Sequence, residues 1–240
     1  MKPSLEVCID NVQALKLCID ARVDRIELCS ALELGGLTPS YGLMRAAADS
    51  PVPVYVMIRP ASTEFCYDRS EKSVMLKDIQ VARELGLSGV VLGAATAQRQ
   101  LDTALLAELC QASEGMGKTL HRVVDLLVDP LQAIDWAVEL GFERILTSGG
   151  ALRAMQGLAQ LRKMQQYGDG RIEIMAGAGV SAENVTQLIQ STSINALHSS
   201  CSSAVAVSKS ALAFGFASAN ARQTDPLKIQ AILNKISSKT

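Results

Sequence analysis

None of the 240 residues fall in an apolar run approaching the ~18 positions that a membrane-crossing helix needs, which excludes a membrane span of that kind. Charge of one sign is lacking too: 23 Lys and Arg stand against 24 Asp and Glu, with no basic block to condense on a phosphate backbone, so nucleic acid is not an expected partner. Aromatics make up only 4%, with a single tryptophan, Trp136, too few for a base-stacking platform. The six cysteines include no CxxC pair, and the two histidines, His121 and His198, lie too far apart in sequence for a local chelate. No GxGxxG follows the first strand-like run, which argues against an open dinucleotide-binding sheet, and no nucleophile elbow is present. MKPSLEVCID passes from one lysine into a strand-like segment without the apolar core of a signal peptide. The expectation is a cytoplasmic protein with reduced thiols and no membrane partner.

What the chain does have is alternation. Eight short β-rich runs read as strands: Leu5–Ile9, Arg25–Cys29, Val54–Arg59, Gly89–Leu92, Lys118–Arg122, Arg144–Thr147, Ile172–Ala176 and Asn195–His198. Between them lie amphipathic stretches at Val12–Ala21, Tyr41–Ala48, Ser70–Leu85, Asp102–Ser113, Pro130–Leu140, Leu152–Gln166 and Ala182–Gln190, with Asp129-Pro130 and Ser181 as helix starts. ARELGLSGVVLG at 82–93 and AVELGFERILTSGG at 137–150 repeat one theme, a helix stopped by Leu-Gly and followed by a strand. An α/β chain of this length and rhythm fits a single (β/α)8 barrel over residues 1–200. Residues 201–240 turn rich in Ser and Ala ahead of a short amphipathic helix, Pro226–Ile236. This C-terminal helical tail packs as an eighth helix, covers the barrel floor or reaches a neighbouring subunit; the sequence leaves the three open.

In a barrel, strand parity decides which side chains face the axis. Glu6 and Cys8 share one face of the first strand, opposite Leu5, Val7 and Ile9; Glu27 and Cys29 share one face of the second, opposite Ile26 and Leu28. The apolar alternates suit the helix-packed side, which leaves both carboxylates and both thiols inward near the C-terminal rim, where barrel enzymes do their chemistry. Arg59 ends the third strand, and His121-Arg122 followed by Asp125 ends the fifth, so a guanidinium and an imidazole enter the same mouth. Arg59 is the expected partner for Glu6 or Glu27, and His121 the proton carrier. Three later segments read as anion receptors: Ser148 and Gly149 in TSGG, Gly177 and Gly179 in AGAGV, and His198-Ser199-Ser200. Taken singly, each glycine is explained as well by a tight turn. Thiolates suit Cu(I) or Zn(II), and Cys8 with Cys29 meet if the first two strands are neighbours; a buried free cysteine is otherwise a small hydrophobe.

Taken together, LEVC at 5–8, DRIELC at 24–29, GGLTPS at 35–40, IRP at 58–60, FCY at 65–67, HRVVD at 121–125, ILTSGG at 145–150, IMAGAGV at 174–180 and LHSS at 197–200 resemble the CutC family of copper homeostasis proteins, which have a TIM-barrel fold. The resemblance spans nearly the whole barrel. It implies a cytosolic, homo-oligomeric barrel that handles copper, with Cys8 and Cys29 at the positions of the family's candidate Cu(I) thiols. The chain departs from the family pattern at Ala61-Ser62-Thr63-Glu64, where an arginine, two glycines and an aspartate are usual, and at HRVVD, where HRAFD is commoner.

Two functions follow. The first is copper handling at Cys8 and Cys29. The alternative is an enzyme whose mouth takes a small anion or phosphorylated or polyhydroxy metabolite, with Glu6 or Glu27 as base, His121 as acid, Arg59 stabilising negative charge and Asp125 alongside. An inert polar axis that only stabilises the barrel ranks third.

Overall fold

The computed structural model describes residues 2–62 and 64–237. Eight parallel strands, β1 (Ser4–Ile9), β2 (Arg25–Leu28), β3 (Val54–Met57), β4 (Gly89–Leu92), β5 (Gly117–Leu120), β6 (Arg144–Thr147), β7 (Glu173–Ala176) and β8 (Ala196–Ser199), close into a barrel in sequence order. Helices α1 (Val12–Ala21), α2 (Tyr41–Ala47), α3 (Arg69–Glu84), α4 (Thr103–Ala112), α5 (Gln132–Glu139), α6 (Leu158–Gly168) and α7 (Val185–Thr192) connect them. The chain is therefore a (β/α)8 barrel. No helix among the described residues is long and apolar enough to cross a membrane.

Local chemistry sets the helix starts. Asn11 caps α1 by accepting from the Ala14 amide at 2.9 Å. Asp68 and Glu71 form a reciprocal capping box on α3. Asp129 accepts from the amides of Leu131 and Gln132 ahead of α5. The amphipathic stretch expected from Leu152 becomes α-helical only at Leu158, after a loop that carries one 3₁₀ turn at Ala154–Gln156. There Gly157 packs so closely that a Cβ would lie 2.0 Å from the Ser148 carbonyl oxygen.

Beyond β8, β9 (Ser202–Ala204) and β10 (Arg222–Thr224) pair antiparallel, with the short helix α8 (Lys209–Ala213) between them. The last helix, α9 (Pro226–Ser237), packs against α1 and α7 and completes the outer ring. Its Ile229, Ile232 and Ile236 are buried at helical spacing, each contributing roughly 1.5–3 kcal/mol of apolar burial. Of the three placements open to the tail, its helix takes the eighth-helix position.

Parity sorts the two barrel faces. Leu5, Val7 and Ile9 of β1, with Ile26 and Leu28 of β2, join the apolar layer beneath the helices. At the N-terminal end of the lumen Tyr55 lies across the barrel, its hydroxyl donating to Glu143 at 2.8 Å and its ring under the guanidinium of Arg144 at 4.8 Å. Glycine starts β4 and β5 for this reason: a Cβ on Gly89 or Gly117 would fall 2.3 Å or 2.0 Å from Tyr55. Tyr55, with Glu143 and Arg144, thus occupies the lumen at the N-terminal ends of the strands.

Candidate functional site

Strand register brings the inward groups together. Glu6 lies opposite Arg25 on one side and His198 on the other, and Cys8 lies opposite Glu27. Glu6, 1% exposed, accepts from Arg25 Nε through one oxygen, and its other oxygen lies 2.7 Å from His198 Nδ1. Burial alone would raise the Glu6 carboxyl, but the hydrogen bond from His198 and the charge of Arg25 bring its pKa down to about 2. An ionised Glu6 fixes the imidazole with its proton on Nδ1, which turns Nε2 toward Glu27 Oε2 at 3.8 Å. Burial works against a charged His198, yet Cys8 and Glu27 beside the ring, with hydrogen bonds to Cys8 and Glu6, hold its pKa well above the ordinary value.

The sulfur of Cys8, a carboxylate oxygen of Glu27 and a ring nitrogen of His198 all lie within 4.8 Å of one another, and all three residues are buried. Cys29 stands beside this trio without joining it, its thiol 3.5 Å from Glu27 Oε2. The register explains why: Cys8 is level with Glu27, so Cys29 sits one inward position higher on β2. Burial, with Glu27 next to it, pushes the Cys29 thiol well above the usual range. Burial and the charge of Glu6 likewise raise the Glu27 carboxyl despite the pull of His198, and its Oε1 has no hydrogen-bond partner among the described residues.

The opposite wall carries His121, Phe65 and Arg59. The Arg59 guanidinium lies 4.8 Å over the Phe65 ring, and that ring lies 4.8 Å from the imidazole. The observed hydrogen bonds of Arg59 lead away from Glu6 and Glu27, its expected partners: its Nη1 donates to the carbonyls of Leu34 and Gly36, and the cation paired with Glu6 is Arg25. β5 ends at Leu120, one residue before His121, whose side chain instead caps a 3₁₀ turn over Arg122–Leu126. Gly93 makes room for it, since a Cβ there would meet the imidazole at 2.1 Å. Both walls, with Ser199 and Ser200 at the rim, bound one cavity of about 220 Å³.

Asp125 and the late loops take other places. Asp125 accepts from Thr147 Oγ1 at 2.6 Å, from the Ser148 hydroxyl at 2.8 Å, from the Gly150 amide at 3.0 Å and from Arg122 Nε at 2.8 Å. The anion receptor read in TSGG is therefore filled by the chain's own carboxylate. Gly149, at φ +72°, packs on the Gly157 carbonyl, and the Gly177 amide donates to Thr147. Ser199 donates to the Val180 carbonyl and the Ser200 hydroxyl pairs with Ser202, whereas Gly179 remains at the cavity edge. Arg25 was not among the residues singled out from the sequence. Counting parity back from Glu27 by two would have put it on the same inward face.

A closed (β/α)8 barrel whose mouth holds a buried thiol, carboxylate and imidazole with their donor atoms within 4.8 Å of one another defines the class: a (β/α)8-barrel protein with a polar, thiol-bearing mouth at the C-terminal ends of its strands. The model of the CutC family matches residues 3–203. The family protein CutC of Rhizobium meliloti (strain 1021) is 48% identical over 230 residues, covering 95% of this chain and 94% of that one. The Caulobacter vibrioides (strain NA1000 / CB15N) relative of the same name is 47% identical over 196 residues, 82% of this chain and 80% of its own length. A crystal structure from Streptococcus agalactiae, provisionally named as a copper homeostasis protein CutC, superposes with a TM-score of 0.79 at 34% identity, covering 82% of this chain and 98% of that one. The chain belongs to the CutC family.

Proposed function

We propose that this protein handles copper by taking Cu(I) as cargo in the barrel mouth, with Cys8 and His198 as its ligands and Glu27 as the neighbouring carboxylate. One observation carries the reading: the three donor atoms lie within 4.8 Å of one another in a buried pocket. Thiolate and imidazole are donors that suit Cu(I), and a carboxylate that accepts from the far nitrogen of a ligating histidine orients it, the part Glu6 plays here. Cu(I) is held by a thiolate and a neutral imidazole nitrogen, so uptake competes with protons and weakens as pH falls. The Streptococcus agalactiae relative is named for copper homeostasis, which agrees with this donor set.

Anaerobic titration of the protein with Cu(I) against a competing chelator tests the reading. Cys8→Ser and His198→Gln should each weaken binding by at least about 100-fold, and Cys29→Ser by less than about 3-fold. Equal loss from Cys8→Ser and Cys29→Ser would replace this trio with a two-thiol site. Unchanged affinity in Cys8→Ser would remove the mouth from copper handling.

A further inference from the structure

A second cavity, of about 330 Å³, opens on the loops after β7 and β8 and meets the mouth at the rim residues Gly179, Ser199 and Ser200. Arg153, Arg222 and Lys228 line it, against Glu183 as the one acidic side chain. Among the described residues none of these three cations is in an ion pair. The nearby carboxylate of Asp225 is occupied elsewhere, accepting from the Ser203 hydroxyl at 2.6 Å and the Leu227 amide at 2.9 Å. The cavity is therefore rich in positive charge that the chain itself leaves unbalanced.

The backbone fixes where that charge sits. Pairing of Ser202 with Thr224 folds β10 and the first turn of α9 back onto the end of β8. Arg222 Nε donates to the Ser202 hydroxyl at 2.9 Å, while Arg222 Nη2 and Lys228 Nζ both donate to the Ser202 carbonyl oxygen, at 2.6 Å and 2.8 Å. Two whole positive charges thus stand side by side on one neutral acceptor, an arrangement whose repulsion an anion between them would offset. Guanidinium carries five N–H donors and ammonium three, so most of the pair's donors stay unused by Ser202. On the other side, the Ala154 amide donates to the Ala178 carbonyl at 2.9 Å, fastening the 3₁₀ turn over the loop after β7. Arg153 then lies along Gly179, where a Cβ would stand 3.5 Å from its Nη1.

We propose that this cavity is an anion seat for a dianionic phosphate group, held between Arg153, Arg222 and Lys228. Three cations against one carboxylate favour a dianion over a monoanion, and the guanidinium fork matches the spacing of phosphate oxygens. Barrels of this architecture frequently seat phosphate on the loops after strands seven and eight. Here the decisive charges come from β10 and α9, beyond the glycine loops that carry the sequence signal. None of Cys8, Glu27 and His198 lines this cavity, so the anion binds with or without copper.

Calorimetric titration at low ionic strength, with no metal added, tests the seat with inorganic phosphate and glycerol 3-phosphate as probes. Wild type should take up one equivalent, with saturable shifts of the Gly179 and Ser200 amide resonances in NMR spectra. Arg222→Gln/Lys228→Gln should weaken binding by about tenfold or more, and Arg153→Gln by about threefold or more. Lys163→Gln, an exposed charge change on α6, should leave it unchanged. Tighter binding of glycerol 3-phosphate would identify a phosphate ester as the source and tighter binding of phosphate the free ion, and both support the seat. No saturable binding of either probe, unchanged affinity in the Arg222/Lys228 double variant, or an equal loss in Lys163→Gln overturns it. Arg153, Arg222, Lys228 and Lys163 are all exposed, so each variant keeps the barrel core intact and each result is decisive.

Discussion

Replacing Glu6 with glutamine isolates the electrostatics on which the mouth depends. The Glu6 side chain is fully buried and balances two groups at once, Arg25 through one oxygen and His198 through the other. Glutamine keeps the shape and one acceptor, but it presents an NH₂ to one of two donors and removes the negative charge between them. Breaking a buried ion pair from one side costs about 3–5 kcal/mol, because the remaining charge stays desolvated and unpaired. Equilibrium urea unfolding of Glu6→Gln at pH 7 should therefore show a loss in that range with little change in slope. Adding Arg25→Met removes the stranded cation and should recover a substantial part of the loss, so the two substitutions are strongly non-additive. A loss below about 1 kcal/mol in Glu6→Gln, or simple additivity in the double variant, would refute the idea that this carboxylate anchors the chain from Arg25 to His198.

Three further outcomes follow from the same geometry. His121 has a folded pKa of about 3 against an ordinary 6.5, so the unfolded chain takes up its proton first as pH falls. The stability this burial lends is fully present above pH 6.5 and is lost between 6.5 and 3, by about 2 kcal/mol at pH 5, and His121→Gln should flatten that part of the curve measured by unfolding. The Glu6 contribution is lost between its ordinary 4.5 and about 2, so of the two groups only His121 acts above pH 4.5, and below it their losses overlap. Gly93→Ala places a methyl 2.1 Å from the His121 ring and should cost about 1–3 kcal/mol while shifting the imidazole resonances in NMR spectra. Asp125→Ala frees the amides of Ser148 and Gly150 and should speed their hydrogen exchange by at least about tenfold, with a loss of about 2–4 kcal/mol in unfolding free energy.

Much of this barrel could be read before any coordinates. Alternation of apolar and polar residues in LEVCI and RIELC was enough to turn Glu6, Cys8, Glu27 and Cys29 inward, and the Leu-Gly helix stops marked where β4 and β6 follow their helices. Parity says nothing about which inward residues stand level with one another. That depends on the stagger between strands and on closure of β8 against β1, which brings His198 to Glu6 across 192 positions of sequence. Hence Cys29 looked like the natural partner of Cys8, while the register put Glu27 there, and His198 was read as an anion donor when it completes the trio. Arg59 and Asp125 show a second limit. Each carries a charge suited to catalysis, yet Arg59 spends hydrogen bonds on the carbonyls of Leu34 and Gly36, and Asp125 ties down the loop after β6. Backbone groups of loops are acceptors and donors that residue types do not reveal.

Copper K-edge X-ray absorption on the anaerobically Cu(I)-loaded protein tests the central claim most directly. The account predicts one sulfur and at least one nitrogen or oxygen neighbour, with the sulfur signal abolished by Cys8→Ser and retained in Cys29→Ser. A spectrum with two sulfur neighbours that changes equally in both variants would contradict it.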